Sequence, residues 1–257
     1  MARAEIAALW RAVSTESRAR GAAIEDLIAE MDGAGIELAV LRAWASPEAW
    51  IIANDEIAAL VQRFPGRFVG LATVDPRQPV EAVQELRRAV KELGLRGLHM
   101  LPWMWNLPPN DRHYYPLYVA CIELGIPFCL QVGHTGPLRP SEPGRPIPYL
   151  DEVAVTFPEL TIVGGHIGYP WTDEMIALAW KYPNVYIDTS AHLPRHYPVS
   201  LRVFMNSYGQ DKVLFASNYP MLSPAQCRSQ VEELGLKPET QAKFLRHNAA
   251  RVFGFMR

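Results

Sequence analysis

The sequence predicts an α/β protein, a (β/α)8-type TIM barrel that is incomplete or modified at its first strand. Three observations predict it. Short runs rich in Val, Ile, Leu and Phe recur near Val40, Gly70, His99, Leu130, Val163, Tyr186 and Leu214, about 23 to 33 residues apart. The stretches between them carry helical periodicity, so strands alternate with helices, and parallel strands with right-handed crossovers follow. Three of the runs end in polar groups: His134 after Leu130-Gln131-Val132-Gly133, His166 after Gly164-Gly165, and Asn218 after Val213-Leu214-Phe215-Ala216-Ser217. Strand ends in a barrel converge on one mouth, where chemistry is placed. An open doubly wound sheet is the runner-up. It is disfavoured because no G-x-G-x-x-G follows a strand and the polar residues lie on several strand ends instead of one switch point.

Taken in order, residues 1–20 are polar and helix-prone, with Ile6, Leu9, Trp10 and Val13 at helical spacing, so they read as an atypical helical segment in place of a first strand. Between Gly70 and His99, Val83, Leu86, Val90 and Leu93 fall on one helical face and Gly94 supplies a left-handed cap. The proline-rich piece from Pro137 to Pro148 reads as a long loop after the fourth visible strand, placed to act as a lid. Thr172 is the expected N-cap of the next helix, which Pro183 stops. Ser223-Pro224-Ala225-Gln226 is the clearest helix start, with Ser at the cap and Pro at the first turn, and Gly235 is its expected end.

The 257 residues, 49% hydrophobic, can bury a large core, and a single barrel domain over residues 1–257 is preferred to two small ones. Lys and Arg total 25 against 27 Asp and Glu, a net charge of -2 without long like-sign runs, so no footprint for nucleic acid or an anionic membrane is present. Cys121, Cys129 and Cys227 are too few and scattered for a disulfide framework and read as reduced core thiols. No run approaches the ~20 apolar residues of a membrane span. The expectation is a cytoplasmic protein whose partner is a small molecule, neutral or anionic.

These segments resemble the amidohydrolase-related TIM barrels, which include aminocarboxymuconate-semialdehyde decarboxylase and resorcylate-type decarboxylases. The resemblance runs from Asp26-Leu27-Ile28-Ala29-Glu30-Met31-Asp32 and Phe64-Pro65-Gly66-Arg67-Phe68 through Gly164-Gly165-His166 and Asn184-Val185-Tyr186-Ile187-Asp188 to Asn248-Ala249-Ala250-Arg251-Val252-Phe253-Gly254. It implies one divalent metal held by a first-strand His-x-His pair, a fifth-strand His and an eighth-strand Asp, with a sixth-strand His assisting. His134 matches the fifth-strand ligand and His166 the sixth-strand His. Asn218 stands at the eighth-strand position, and no His-x-His precedes Val40, so the strand near Val40 corresponds to the family's second. A seven-strand barrel leaves two strand edges unpaired. Residues 1–20 or a homodimer contact are expected to seal them.

Asn218 offers a neutral amide oxygen in place of a carboxylate, so the expectation is that no metal is tightly bound and no cofactor is needed; one divalent metal such as zinc, completed by Asp188 or His192, is the alternative. His134 and His166 are the candidate acid-base pair, because imidazoles titrate near working pH, and Asn218 would orient a carbonyl or donate to an oxyanion. His99, Trp103, Trp105, Asp188 and His192 are candidates for substrate binding; His99 also reads as a core histidine, the tryptophans as loop packing, and Asp188 as a cap on the following loop. His192 and His196 lie in the loop after Asp188, within reach of the mouth, and rank below His134 and His166 as loop histidines; His113 and His247 carry no argued role. The functional expectation is a hydrolase or lyase for a small carboxylated or cyclic molecule, working by hydrolysis, decarboxylation, or cyclisation or hydration. A catalytically inactive relative with a binding or structural role, and a metal-dependent enzyme with an unusual metal site, are the alternatives.

Overall fold

A computed structural model describes residues 22–255. Expectations about the first 20 residues, including their role in sealing the barrel, lie outside the described residues. All seven expected strands are present: β1 (Ala39–Arg42), β4 (Phe68–Leu71), β5 (Leu98–Met100), β6 (Phe128–Gln131), β7 (Ile162–Gly165), β8 (Val185–Asp188) and β9 (Val213–Leu214). β1 pairs in parallel with β4, and β5 to β9 form a parallel five-stranded sheet in chain order. A single parallel bridge, Ala72 to Leu98, joins the two groups. Spatial order therefore follows chain order throughout, as it does in a TIM barrel, and the reversal that defines a doubly wound sheet is missing. A short antiparallel pair, β2 (Trp44–Ala45) with β3 (Trp50–Ile52), follows β1; its two strands are too short to leave a period-2 signal in the sequence.

The seven strands alternate with helices. The principal ones are α1 (Ile24–Gly33), α2 (Asn54–Arg63), α3 (Pro79–Lys91), α4 (Pro102–Trp105), α5 (Tyr115–Leu124), α6 (Asp151–Thr156), α7 (Thr172–Lys181), α8 (Val199–Met205), α9 (Pro224–Ser229), α10 (Pro238–Ala242) and α11 (Asn248–Val252). In α3 the fully buried face is Ala82, Leu86 and Ala89, flanked by the half-buried Val83 and Val90. The buried stripe thus sits one position toward the N-terminus of the large apolar residues. Ser223 caps α9 by accepting the Gln226 N–H at 3.3 Å. That helix stops at Ser229, and Gly235, at φ 62°, ends the 3-10 turn that follows. Thr172 is the first residue of α7 instead of its cap: Trp171 occupies that position, and the Thr172 hydroxyl is buried without a hydrogen-bond partner among the described residues. All three cysteines are free and buried.

Because side chains alternate along a strand, each β-run sends one set outward to the helices and one set into the barrel. The inward set includes Leu71, Cys129, Val163 and Leu214, and Phe253 from the end of α11 packs among them with half-buried Val40 and Tyr186. The C-terminal segment thereby fills the lower interior. Among the described residues β1 and β9 each have a strand partner on one side only. Side chains and helices span the interval between them: Arg42 bonds Asn218, α1 packs against α9, and the Ser223 hydroxyl bonds the Glu30 carboxylate. No described helix is long and apolar enough to cross a membrane.

Candidate active site at the barrel mouth

A continuous cavity of about 1710 Å³ reaches from the strand ends down to Phe253 and sideways past Leu27 and Met31. It is larger than the roughly 300–1,000 Å³ of an ordinary ligand pocket, so the site proper is its upper part, where the polar residues gather. His99, Trp103, His134, His166, Asp188, His192 and Asn218 all line it. Trp105 does not. It is buried beneath its own turn, with the Arg77 guanidinium 5.2 Å from its ring centroid, which removes it from the substrate-binding set. Trp103 donates to Gln131 Oε1 at 2.6 Å, and Gln131 in turn donates to the His134 carbonyl at 3.1 Å. This chain of bonds ties the tryptophan wall to the backbone that carries His134.

The strand ends hold their side chains through strained backbone. Of the five non-glycine residues with positive φ among the described residues, four lie at the mouth: His166 (62°), Ile167 (51°), Ala191 (66°) and Asn218 (77°). Each such conformation costs of order 1–3 kcal/mol and persists only where the surroundings over-determine it. Ile167, fully buried beside His166, is one such anchor. Two glycines make room. A Cβ on Gly133 (φ 92°) would stand 2.3 Å from the Tyr169 carbonyl oxygen, the group that accepts the His134 N–H at 2.7 Å. Gly165 faces inward with Asp188 Oδ2 3.5 Å from where its Cβ would be, which keeps the space below His166 open. Asp188 accepts the Ser190 N–H at 2.8 Å and so caps the loop after β8.

Arg42 is the residue that sequence reasoning missed. The β1 alternation that turns Val40 inward turns Arg42 inward too, at the mouth end. Its Nη1 donates to His99 Nε2 at 3.1 Å and its Nη2 to Asn218 Oδ1 at 2.8 Å. Arginine has no acceptor, so the bonded His99 Nε2 must be unprotonated and the ring proton sits on Nδ1. The signal that could have found Arg42 was present: a cation two residues after an apolar residue, at the C-terminal end of a strand.

Loss of hydration and the Arg42 charge hold His99 and His166 well below the ordinary histidine range. His192 is brought down to about 4, chiefly by desolvation and then by His134. These rings therefore rest neutral near pH 7. The buried Nε2 of His166, a residue of the cavity lining, has no hydrogen-bond partner among the described residues, so one proton-accepting or donating position is unused. His134 lies at the exposed rim, with its ring 5.5 Å from Tyr169, which is in turn 5.7 Å from His192. His196 instead bonds Arg195, and His113 pairs with Asp111, both outside this group.

Parallel strands in chain order with histidines at their carboxyl ends give a TIM barrel whose candidate site lies at the face where this fold places chemistry. The chain belongs to the amidohydrolase family: the family described as Amidohydrolase matches residues 18–255. A 2-amino-3-carboxymuconate-6-semialdehyde decarboxylase from Dictyostelium discoideum is 33% identical over 86 residues, which is 32% of this chain and 24% of that protein. The matched stretch thus spans about a quarter of that relative's length. An uncharacterised TIM-barrel protein from Bordetella bronchiseptica superposes with a TM-score of 0.82 at 28% identity, covering 93% of this chain and 85% of its own. A dihydroxybenzoic acid decarboxylase from a Polaromonas species, solved with bound manganese and the inhibitor 2-nitroresorcinol, has a TM-score of 0.73 at 21% identity over 98% of this chain and 94% of its own.

That manganese corrects the expectation that no cofactor is needed, since it points to a divalent metal in relatives of this fold. His134, His166, His192 and Asp188 are the imidazole and carboxylate donors that the mouth offers to such an ion. As they are placed, no three His, Cys, Asp or Glu side chains among the described residues are gathered closely enough to grip one. Among the described residues the donor set therefore does not form a ready-made metal cage.

Proposed function

We propose that this chain is a lyase of the amidohydrolase family that decarboxylates a small, flat, carboxylated molecule, with His166 and His134 moving the protons and Asn218 orienting an oxygen of the substrate. The observation that carries this reading is the meeting of His99, His134, His166 and His192 with Arg42 and Asn218 on one cavity at the strand ends. The decarboxylases among its relatives support the reaction class. Hydration of an unsaturated acid uses the same proton chemistry and is the second outcome for which the assay below is read.

In decarboxylation the bond between the ring or chain carbon and the carboxyl carbon breaks, CO2 leaves, and the electron pair stays on the carbon that must then take a proton. A neutral His166 cannot deliver that proton by itself. Burial keeps the ring neutral and the Arg42 charge adds to it; an anionic substrate beside the ring offsets the Arg42 charge and so favours the imidazolium when substrate is bound. Asn218 Nδ2, 3.4 Å from the Met221 sulfur, is weakly engaged and available to an oxygen on which charge develops. Trp103 and half-buried Trp44 line the cavity and supply flat apolar wall for a planar substrate.

The test is incubation of the protein, supplied with manganese, with a panel of hydroxybenzoates and unsaturated di- and tricarboxylates, following CO2 release and new C–H or C–O bonds by NMR. Turnover is expected for a member of the panel, and His166→Asn should lower kcat by roughly 10²–10⁴ while leaving the fold intact. A His166→Asn protein that turns over at the native rate removes the proton role assigned to this residue.

A further inference from the structure

We propose that Arg42 is a binding and specificity residue: its guanidinium anchors a second anionic group of the substrate, a carboxylate that the reaction retains. This deepens the functional reading above, on which it rests for the reaction. The observation beneath it is a cation in the mouth that is ion-paired with no carboxylate among the described residues; Asp188, which shares the cavity, accepts the Ser190 N–H instead. Both bonds of Arg42 go to neutral acceptors, His99 Nε2 and Asn218 Oδ1, and no ion pair between Arg42 and a carboxylate occurs among the described residues. Several arginines outside the mouth are paired with carboxylates, Arg67 with Asp32 and Arg88 with Asp55 and Glu85. A guanidinium carries five N–H donors, so three remain after these two bonds, in a planar fork suited to two carboxylate oxygens. His99 and Asn218 hold that fork in one orientation from opposite sides of the barrel opening, since Asn218 follows β9 and His99 lies on β5.

Transition-state logic decides which carboxylate it holds. An arginine on the departing carboxylate would stabilise the negative charge where it starts, and that charge must move to carbon as the bond breaks. Such an interaction strengthens the ground state more than the transition state and slows the reaction. On a carboxylate that stays, the same bonds are equal in both states and serve to position the reacting carbon beside His166. The inferred substrate class is therefore a molecule with two carboxylates, one lost and one kept.

The test uses benzene-1,3-dicarboxylate, benzoate and benzamide as probes of the native protein and of Arg42→Gln and Arg42→Lys. Binding is read by titration calorimetry and by tryptophan fluorescence from the Trp44 and Trp103 wall, with thermal melts to check folding. The dicarboxylate is expected to bind native protein more tightly than benzoate, to weaken at least tenfold in Arg42→Gln, and to show intermediate affinity in Arg42→Lys, which keeps the charge and loses the fork; benzamide should be insensitive to either change. Failure of the native protein to bind the dicarboxylate, or equal affinity in native and Arg42→Gln, overturns the proposal. If Arg42→Gln does not fold, the Arg42→Lys protein decides, and unchanged affinity there overturns it. The two readings fail separately: Arg42-dependent binding without turnover of any panel member supports the anchor and sinks the decarboxylase, whereas turnover unaffected by Arg42→Gln does the reverse.

Discussion

Side chains at the mouth are arranged so that three imidazoles stay neutral around one fixed cation. The linkage sign follows from the unfolded chain, where histidine titrates near 6.5. Above that pH both states leave His99, His166 and His192 unprotonated, and they contribute nothing to the pH dependence. Below it the unfolded state takes up protons that the folded state refuses, so stability falls as pH drops from 6.5 toward about 4, where His192 begins to protonate in the fold as well. Urea midpoints at pH 7.5 and 5.5 should differ by the equivalent of about 4 kcal/mol, a little over 1 from each of the three rings, and substituting His192 by Asn should reduce the difference by about a third. Identical midpoints would show that these rings are as well hydrated as in the unfolded chain. The sequence marked His134, His166 and Asn218 by their place at the ends of apolar runs. It did not mark Arg42, because an inward or outward direction has to be read from strand register.

At the scale of elements, the loops after β6 and β7 are locked together by backbone. Gly133 donates to the Gly144 carbonyl at 2.7 Å, and the next residue, His134, donates to the Tyr169 carbonyl, so the proline-rich loop is folded down onto the strand end that carries His134. That contact demands a residue without Cβ in a left-handed conformation. Gly133→Ala should therefore cost about 2–4 kcal/mol, visible in the melting temperature, and should impair activity beyond the loss of stability because it displaces His134. A melting temperature unchanged by the substitution would mean that the Tyr169 loop gives way freely. Turn chemistry made some of these elements legible, Ser223 at the cap of α9 being one. Thr172 was not, because burial of its hydroxyl at the start of α7 outweighed its capping preference.

On the scale of the whole molecule, the barrel is held by seven parallel strands, by the contacts that span β9 and β1, and by Phe253 inserted among Leu71, Cys129, Val163 and Leu214. The last turn of the chain thus completes the interior that the first strands begin. Phe253→Ala should lower stability by roughly 3–4 kcal/mol, because it opens a cavity continuous with the existing one and removes the ring that these four residues pack around. Equilibrium unfolding in urea measures this, and a loss under 1 kcal/mol would place Phe253 outside the core. The same substitution should disturb the mouth less than the fold, since an apolar layer separates Phe253 from Arg42 and His166.

By itself the sequence determined the seven strands, their alternation with helices, the family, and the polar groups that end the strands, because hydrophobic period and turn residues are local properties of the chain. The tertiary structure decided what those groups face. It put Arg42 between His99 and Asn218, took Trp105 out of the cavity and brought His192 from a loop against His166. These outcomes depend on the stagger of strands around the barrel wall and on which loops fold across it, and contacts between residues as far apart as 42 and 218 have no periodicity along the chain from which they could be read.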